Sequence, residues 1–509
     1  MTAPEPGAAP RRGERLADAA DRRLPVYDGG GPLLRKAFPD HWSFLLGELA
    51  LYSLVLLLLT GVWLTFFFKP EMREVVYDGS YRPLRGVRMS TAFASTLDIS
   101  FDVRGGLLMR QLHHWAALVF VTAIGAHLLR VFFTGAFRRP RELNWVIGVT
   151  LFAIALAEGF AGYSLPDDLL SGTGLRIAQG IMLSIPVAGT YLALFVFGAQ
   201  FPGHDIVPRL YSMHILLLPG ALAALVTVHL MLVFHLKHTQ WRGPGRTNAN
   251  AVGKPLHPRF TASSAGLSLA VFGVLSVLAG IAQINPVWVY GPYRPDQAST
   301  GSQPDWYVGF LEGALRLVPP WETTVAGHTL MWNVLLPAVV LPALLFLVLY
   351  AYPFVEQRFT GEWRQERHLC DRPRERPVRT GLGVAGVTFY GVLLLAGGND
   401  VMAATFRISV NSLTWVLRVA LIVAPVLAFA LVRALCHALV AAEQQRLTEG
   451  EETGEVRQTL AGGYETGHRP VTSFRPGAPR LPVSPPARRP GSRTGTPDPE
   501  HPAPEHRGR

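Results

Sequence analysis

The segment RQLHHWAALVFVTAIGAHLLR, residues 110–130, is apolar along most of its length, yet it carries three histidines and is closed at both ends by arginine. It is long enough to cross a hydrocarbon core of about 30 Å as a helix. Ionisable side chains inside a membrane helix are costly without a partner, so they mark functional positions by default. What these histidines bind is therefore the first question that the sequence poses.

The composition is that of a polytopic membrane protein. Of the 509 residues, 49% are hydrophobic and only 16% are charged, with a mean hydropathy of +0.24. A soluble domain carries about 25% charged residues. We therefore predict an all-α integral membrane protein with about eight transmembrane helices, at residues 45–68, 112–134, 144–162, 211–235, 263–284, 329–350, 382–397 and 411–440. The apolar stretch 177–198, which contains Pro186, is expected to form a helical segment at the membrane interface rather than a ninth span.

The loop charges predict the orientation. Lys and Arg gather in cytoplasmic loops of membrane proteins. Here they gather in the N-terminal segment and in alternate loops, at 135–143, 236–260 and 351–381. Both termini are therefore expected in the cytoplasm of a cell carrying the protein in its plasma membrane. A ninth span would place the last two basic loops outside. The long loop 69–111 has several Arg on the outer side and is expected to fold as a cap.

The remaining composition excludes other classes of protein. The net charge of +11 is explained by cytoplasmic loops, so no nucleic acid partner is expected. The two cysteines, Cys370 and Cys436, form no C-x-x-C, which argues against a zinc site, a thioredoxin motif or a covalently attached haem; a disulfide between them stays open. No signal peptide is visible in the polar residues 1–40. Residues 441–509 are rich in Glu, Gly, Pro and Arg and are expected to be a disordered cytoplasmic tail.

Four histidines are paired in spacing and in depth. His113 and His127 are 14 residues apart, so they leave nearly the same helix face and are separated by about 21 Å of helical rise. His214 and His229 are 15 apart in the fourth span, which runs parallel to the second. Packed face to face, the spans give two bis-histidine sites, His113 with His214 and His127 with His229. Such sites in a dry bundle suit two non-covalent haem b groups. His114 points about 100° away and is expected to be a packing or supporting residue.

Glycines and arginines accompany the histidines. Two glycine pairs have the same 14-residue spacing, Gly47 with Gly61 in the first span and Gly148 with Gly162 in the third. Glycine lets a flat ligand approach the backbone; close helix packing through small residues is the alternative. Arg110 and Arg130 lie three residues outside His113 and His127, where they pair with haem propionates or extend to the membrane interface.

These motifs resemble cytochrome b of the quinol–cytochrome c reductases. The resemblance begins with R-x-x-H followed by a second His 14 residues later, H-x14-H, and the paired glycines. It continues in QPDWYVGF at 303–310, GYSLPDD at 162–168 and LHPRF at 256–260. Of these segments, QPDWYVGF is similar to the family's quinol-site motif Pro-Glu-Trp-Tyr. The resemblance covers about 40–440. The stretch PDDLLSGTGLR is similar to the actinobacterial, menaquinol-oxidising form.

The resemblance implies a specific activity. His113 and His214 would hold a low-potential haem near the outer face, and His127 and His229 a high-potential haem near the cytoplasm. Quinol would be oxidised at an outer site, with one electron passing to a Rieske iron–sulfur subunit and the other through both haems to an inner quinone site, as in a Q cycle. A c-type cytochrome subunit, a homodimer and a supercomplex with cytochrome c oxidase are also implied, with menaquinol and menaquinone as substrates.

Two departures from the family pattern concern the quinone sites. The outer motif has Asp305 in place of glutamate; its carboxylate would accept a quinol proton, or cap the helix that follows. Tyr307 would donate a hydrogen bond to the substrate, or serve as an interfacial aromatic. At the inner site, the family often has a carboxylate seven residues after the His of His-Pro, where this chain has Ser264.

Four further ionisable positions have open roles. His235, Lys237 and His238 follow His229 and would supply protons to the inner site or form a basic cytoplasmic collar. Glu158, late in the third span, is an intramembrane carboxyl for which no role is assigned.

The organisation that follows has four parts. Residues 1–40 form a polar cytoplasmic segment, 41–240 a four-helix di-haem bundle, 241–440 a membrane domain of four helices with the outer quinol-site loop, and 441–509 the tail. Other functions stay open: a di-haem anchor of another quinone-linked dehydrogenase, a proton-coupled transporter that uses the histidines and Glu158 as relays, or a paralogue with reduced activity.

Overall fold

A computed structural model describes residues 34–297 and 303–469. Within these residues, eight helices are long and apolar enough to cross a membrane, which confirms the predicted all-α class and the number of spans. Their bounds differ from the predicted ones by up to ten residues at an end, because helices continue past the apolar core into polar flanks. Spans 1 to 8 are Trp42–Thr65, Gly106–Thr134, Glu142–Tyr163, Ile206–Leu236, Leu256–Ile281, Trp332–Thr360, Pro377–Gly397 and Val410–Glu449. Most of the predicted N-terminal segment, residues 1–33, lies outside the described residues.

The stretch between spans 3 and 4 is not a ninth span. It forms two helices, Leu169–Leu183 and Gly189–Phe197, separated by a turn. Pro186 lies in that turn, and Val187 adopts a positive φ of 64°, so the helix cannot continue through it. Neither piece has the roughly 20 residues that a span requires. The prediction of a helical segment that does not cross the membrane is therefore confirmed.

Shorter elements cover the outer ends of the spans. Residues after span 1 form the antiparallel strands Glu74–Val76 and Arg88–Ser90 and the buried helix Thr91–Phe101, which together form the folded cap expected from loop 69–111. After span 5 come the short helices Val287–Tyr290, Trp306–Val308 and Gly309–Leu317 and the hairpin Glu322–Val325 with His328–Met331. The remaining short elements are Ala37–Phe38 paired with Lys254–Pro255, and the helices Arg82–Leu84, Glu362–Arg364, Pro373–Glu375 and Asn399–Phe406.

Span 4 contains a π turn at Met213–Leu217. Pro219 lies just beyond it and has no N–H to donate to the preceding turn. A π turn adds one residue to the helix, and this one lies between His214 and the distant His229. The 15-residue spacing in span 4 therefore covers the same rotation as the 14-residue spacing of His113 and His127 in span 2. This explains how two unequal spacings give two matched pairs.

A buried ion-pair cluster joins the two halves of the chain at the predicted cytoplasmic end. Asp371, which is 3% exposed, lies 3.0 Å from Arg138, 3.0 Å from Arg379 and 3.2 Å from Arg376. Arg138 precedes span 3, and the others flank the start of span 7. Removing one member of such a buried pair leaves an uncompensated charge, so this cluster fixes span 7 against the loop between spans 2 and 3.

The structure differs from the prediction at the start of the tail. Span 8 continues as a helix to Glu449, and Glu451–Gln458 pairs with Tyr464–Arg469 as an antiparallel hairpin. Every residue of the first strand is exposed, so burial gave no signal of it in the sequence. Val456, Thr466 and Tyr464 have the β preference that favours strands. The disordered tail is thus wrong for 441–469, and residues 470–509 lie outside the described residues.

Candidate functional site

The outer histidine pair joins spans 2 and 4. The rings of His113 and His214 have centroids 6.1 Å apart and an interplanar angle of 78°. Thr60 Oγ1 lies 2.9 Å from His113 Nδ1. His214 Nδ1 lies 3.2 Å from the carbonyl oxygen and 3.0 Å from the carboxylate of Glu158. Because Nδ1 of each ring is held by a neighbour, the ring orientation is fixed and Nε2 is the nitrogen that could coordinate a metal.

The inner pair repeats this geometry about 20 Å deeper along the helices. The ring centroids of His127 and His229 are 6.5 Å apart, with an interplanar angle of 73°. Imidazole–metal bonds are about 2 Å long, so two imidazoles on opposite sides of one iron have ring centroids about 6 Å apart. Both pairs therefore fit a bis-histidine haem. Among the described residues, Nδ1 of His127 and of His229 are buried without a hydrogen-bond partner, in contrast to Nδ1 of the outer pair.

Each of the four predicted glycines lies against one of the four histidines. A Cβ at Gly47 would lie 3.2 Å from His127, and one at Gly61 would lie 3.3 Å from His113. A Cβ at Gly162 would overlap the ring of His214. The contact at Gly148 is the loosest of the four, because a Cβ there would lie 3.8 Å from the ring of His229. Glycine at 47, 61 and 162 is thus required by the close approach of the histidine rings, a reason more specific than helix packing in general.

This difference between the two glycines of span 3 gives a matched test. Gly162→Ala is expected to displace His214 and lower the occupancy of the outer haem, because the new methyl group would overlap the imidazole ring. Gly148→Ala places its methyl group at ordinary contact distance, so the haem content should be unchanged. A haem-to-protein ratio measured on both purified variants checks this; equal ratios in the two variants would contradict it.

Both predicted arginines are half-buried and make contacts within the protein. Arg110 donates to the carbonyl oxygen of Asn285 at 2.9 Å, and its NH1 has no partner among the described residues. Arg130 stacks over the ring of Phe44 at 4.2 Å and lies 3.7 Å from Cys370 Sγ. Its Nε is likewise buried without a described partner. Guanidinium groups with free N–H donors beside each histidine pair are suited to bind carboxylates such as haem propionates.

The outer motif residues form a hydrogen-bonded triad. Tyr307 donates to Asp305 Oδ2 at 2.9 Å, and His114 Nε2 lies 3.2 Å from Asp305 Oδ1. The Asp305 side chain makes no cap bond to the helix that follows, so the capping alternative does not describe it. Burial and the Asp305 carboxylate raise the pKa of Tyr307 well above its ordinary value. Tyr307 is therefore a hydrogen-bond donor at every physiological pH.

A cavity of about 250 Å³ connects this triad to the outer histidine pair. Its lining includes His113, His214 and Gly162 on one side and Asp305 and Tyr307 on the other. The outer histidine pair and the Asp305–Tyr307 pair thus face one space. A single molecule bound in this cavity could transfer an electron towards the His113–His214 pair and a proton towards Asp305.

The structure gives partners for three supporting residues: His114, which the sequence predicted as a packing or supporting residue, Glu158, for which it assigned no role, and Thr60, which it missed. His114 contacts Asp305, Glu158 contacts His214, and Thr60 contacts His113. His114 and Glu158 were recognised as unusual in a membrane span, but their partners are 191 and 56 residues away. Local spacing carries no information on contacts between distant spans. Thr60 gave no signal, since a threonine in a span usually bonds to its own helix.

The segment GYSLPDD contains a helix cap. Asp168 Oδ2 accepts from Leu170 N at 3.1 Å, and Ser171 Oγ donates to Asp168 Oδ1 at 2.7 Å, a reciprocal capping arrangement at the start of Leu169–Leu183. Burial raises the pKa of the preceding Asp167 to about 7. The two aspartates therefore lie in a dry site, and Asp168 organises the helix beside the outer cavity.

His235, Lys237 and His238, whose roles the sequence left open, differ in exposure and in contacts. His235 is exposed, while the carbonyl oxygen of Lys237 accepts from Arg141 at 3.3 Å. Burial, with the positive charges of Lys36 and Arg141, lowers the pKa of His238 to about 4. A neutral His238 does not belong to a basic collar. Its Nε2 is buried without a partner in the described part of the chain.

Comparison with known proteins decides the family. Residues 118–292 match the family model described as cytochrome b(N-terminal)/b6/petB. The chain is 53% identical over 466 residues to the "Cytochrome bc1 complex cytochrome b subunit" of Streptomyces coelicolor, covering 92% of this chain and 85% of the relative. The chain belongs to the cytochrome b subunits of bc1 complexes. Equally named subunits of Mycobacterium leprae and Corynebacterium diphtheriae are 50% and 47% identical, covering 92% and 90% of this chain and 85% and 84% of those relatives.

A solved structure shares the fold of this cytochrome b. A chain of "Hyperthermophilic respiratory Complex III" superposes with a TM-score of 0.62 at 20% identity, covering 83% of this chain and all of that one. As a cytochrome b, the protein is a membrane subunit of a respiratory quinol–cytochrome c oxidoreductase and contains haem b. The dehydrogenase anchor and the transporter are thereby set aside.

Proposed function

We propose that this cytochrome b holds two haem b groups and carries both quinone sites of a menaquinol–cytochrome c oxidoreductase. His113 and His214 hold the low-potential haem, and His127 and His229 the high-potential one. Arg110 and Arg130 bind propionates. Gly47, Gly61 and Gly162 allow the close approach of the ligand histidines, and Gly148 makes the loosest of the four contacts. The observation that supports this most is the presence of two histidine pairs with centroids 6.1 and 6.5 Å apart.

Quinol oxidation at the outer site requires an acceptor for protons. Quinol loses two protons and two electrons as it becomes quinone. We assign the first proton to Asp305, whose carboxylate is positioned by the Tyr307 hydroxyl and by His114. A fixed carboxylate within hydrogen-bond reach of a bound hydroxyl is an effective general base. The two haem groups, when bound, supply one-electron carriage between the two faces of the membrane.

The chain requires partners to complete the reaction. Its two cysteines lie on separate elements and are both free thiols, so iron–sulfur chemistry and a covalent haem must come from other subunits. We propose a Rieske iron–sulfur subunit and a c-type cytochrome subunit, by analogy with relatives named as parts of bc1 complexes. Assembly as a homodimer and with cytochrome c oxidase is proposed on the same ground.

The orientation follows from the loop charges. With both termini in the cytoplasm of a multi-pass plasma membrane protein, span 2 begins outside and His113 lies nearer the outer face. The outer cap and the Asp305 loop then face the side on which the partner subunits accept electrons. Protons released at Asp305 leave on that side, and an inner site takes protons from the cytoplasm, which generates proton-motive force.

A spectrum tests the proposal directly. The purified chain should give a dithionite-reduced minus oxidised spectrum of low-spin b haem, and a pyridine haemochrome assay should give two haems per chain. The assembled complex should reduce cytochrome c with menaquinol. A colourless, folded protein would refute the di-haem assignment, and a red protein that leaves menaquinol unoxidised within its complex would refute the substrate.

A further inference from the structure

A carboxyl group of span 1 lies against the beginning of span 5. Ser264 Oγ donates a hydrogen bond to Glu48 Oε2, and Tyr52 OH lies 2.5 Å from the same Ser264 Oγ. Glu48 and Tyr52 are four residues apart on span 1, so both side chains leave the same helix face. With Tyr52 donating to Ser264 and Ser264 donating to Glu48, the three groups form one continuous hydrogen-bonded chain between two spans.

This chain lies at the level of the inner histidine pair. Gly47, which precedes Glu48, is the residue whose Cβ would lie 3.2 Å from His127. Phe44, one turn earlier on the face of Glu48, stacks under the Arg130 guanidinium at 4.2 Å. Glu48 therefore lies at about the depth of the inner pair, with its side chain about 100° around the helix from the face of Gly47, and near the end of span 1 that the loop charges place in the cytoplasm.

Glu48 is the only Asp, Glu, Lys or Arg between Trp42 and Thr65. In the described part of the chain, the Glu48 carboxyl accepts a hydrogen bond from the Ser264 hydroxyl and makes no ion pair with a cation. An intramembrane carboxyl is costly and marks a functional site by default. A carboxyl held by hydroxyls can be neutral, and it can release and regain a proton without breaking an ion pair. A structural role alone would be served by glutamine, which has no proton to release.

We infer that Glu48 is the proton-donating group of the inner quinone site, positioned by Ser264 and Tyr52. The inference rests on the proposed function. The sequence has serine at position 264, where a carboxylate was expected from the family resemblance, and the structure brings a carboxyl to that serine from another span.

The step balances with the proposed activity. Menaquinone takes two electrons, delivered through the inner haem in successive turnovers, and two protons to become menaquinol. Glu48 transfers its proton to one quinone oxygen, which forms an O–H bond, and the carboxylate is reprotonated from cytoplasmic water. The second proton reaches the other quinone oxygen from cytoplasmic water.

The test uses the purified complex with its haems reduced, mixed with menaquinone while the loss of the reduced b band is followed. Glu48→Gln is expected to slow this oxidation about 100-fold, the typical contribution of a positioned acid, with two haems per chain retained. Glu48→Asp should recover part of the rate. Ser263→Ala is the matched control, because Ser263 is the neighbouring serine and bonds only to its own helix at Arg259.

A second measurement does not depend on turnover. The redox-difference infrared spectrum of the wild type should contain a protonated carboxyl band that is absent in Glu48→Gln and retained in Ser263→Ala. A wild-type rate and an unchanged band in Glu48→Gln would overturn the inference while leaving the proposed function intact. A wild-type complex whose reduced haems are not oxidised by menaquinone would instead refute the proposed function.

Discussion

Replacing His127 with alanine is expected to remove one of the two haem b groups and to stop electron transfer to the inner quinone site. The His127 ring lies 6.5 Å from that of His229 and packs against Gly47, so no other described side chain is placed to substitute for it. A bis-histidine haem that loses one ligand in an apolar bundle loses both a coordinate bond and its low-spin state. Cytochrome c reduction by menaquinol should fall to background.

The haem-to-protein ratio and the reduced spectrum measure this. The variant should retain one low-spin b haem, held by His113 and His214. His235→Ala is the matched control, since His235 lies in the same span as His229 but is exposed and belongs to neither pair. Two haems in His127→Ala, or one in His235→Ala, would show that the pairs have been assigned wrongly.

The sequence was sufficient to predict the histidine pairs because their spacing is a local property of a helix. Pairing across spans 2 and 4 needed only the count of spans and their direction. The unequal spacings of 14 and 15 were harder to reconcile, since a regular helix would turn His229 about 100° relative to a 14-residue repeat. The π turn at Met213–Leu217 removes that difference. It follows from Pro219, whose effect on the preceding turn the sequence reasoning did not use.

The contacts that supply acid–base chemistry could not be predicted in the same way. His114 meets Asp305 across 191 residues, and Ser264 meets Glu48 across 216. Such contacts depend on how spans pack and on the path of the outer loop, neither of which a single sequence specifies through periodicity. The ends of the spans differ from the predicted ends because hydropathy detects only the part of a helix that lies in the hydrocarbon core. Helices such as span 8 continue well beyond that part.

The triad at Asp305 differs from the histidine pairs because every part of it can be altered without removing a haem ligand. Asp305 Oδ2 accepts from Tyr307 and Oδ1 faces His114, so both carboxylate oxygens are positioned at the wall of the outer cavity. Tyr307 stays protonated because of its raised pKa. It therefore orients the carboxylate but cannot replace it as a proton acceptor, so between these two residues we expect Asp305 to be the base.

Asp305→Asn is accordingly expected to lower the rate of menaquinol oxidation about 100-fold or more, the effect of losing a positioned general base, which corresponds to about 2.7 kcal/mol in the activation barrier. Asparagine keeps the size of the side chain and can still bond to Tyr307, so the two haems and their spectra should be unchanged. Steady-state menaquinol–cytochrome c reduction by the complex measures the loss.

The control variant is Asp296→Asn, which should keep the full rate, because Asp296 is exposed and, among the described residues, is paired only with Arg294. A fully active Asp305→Asn variant would mean that the quinol proton leaves by another group, and His114 would then be the first to replace, since it is the other base in contact with position 305.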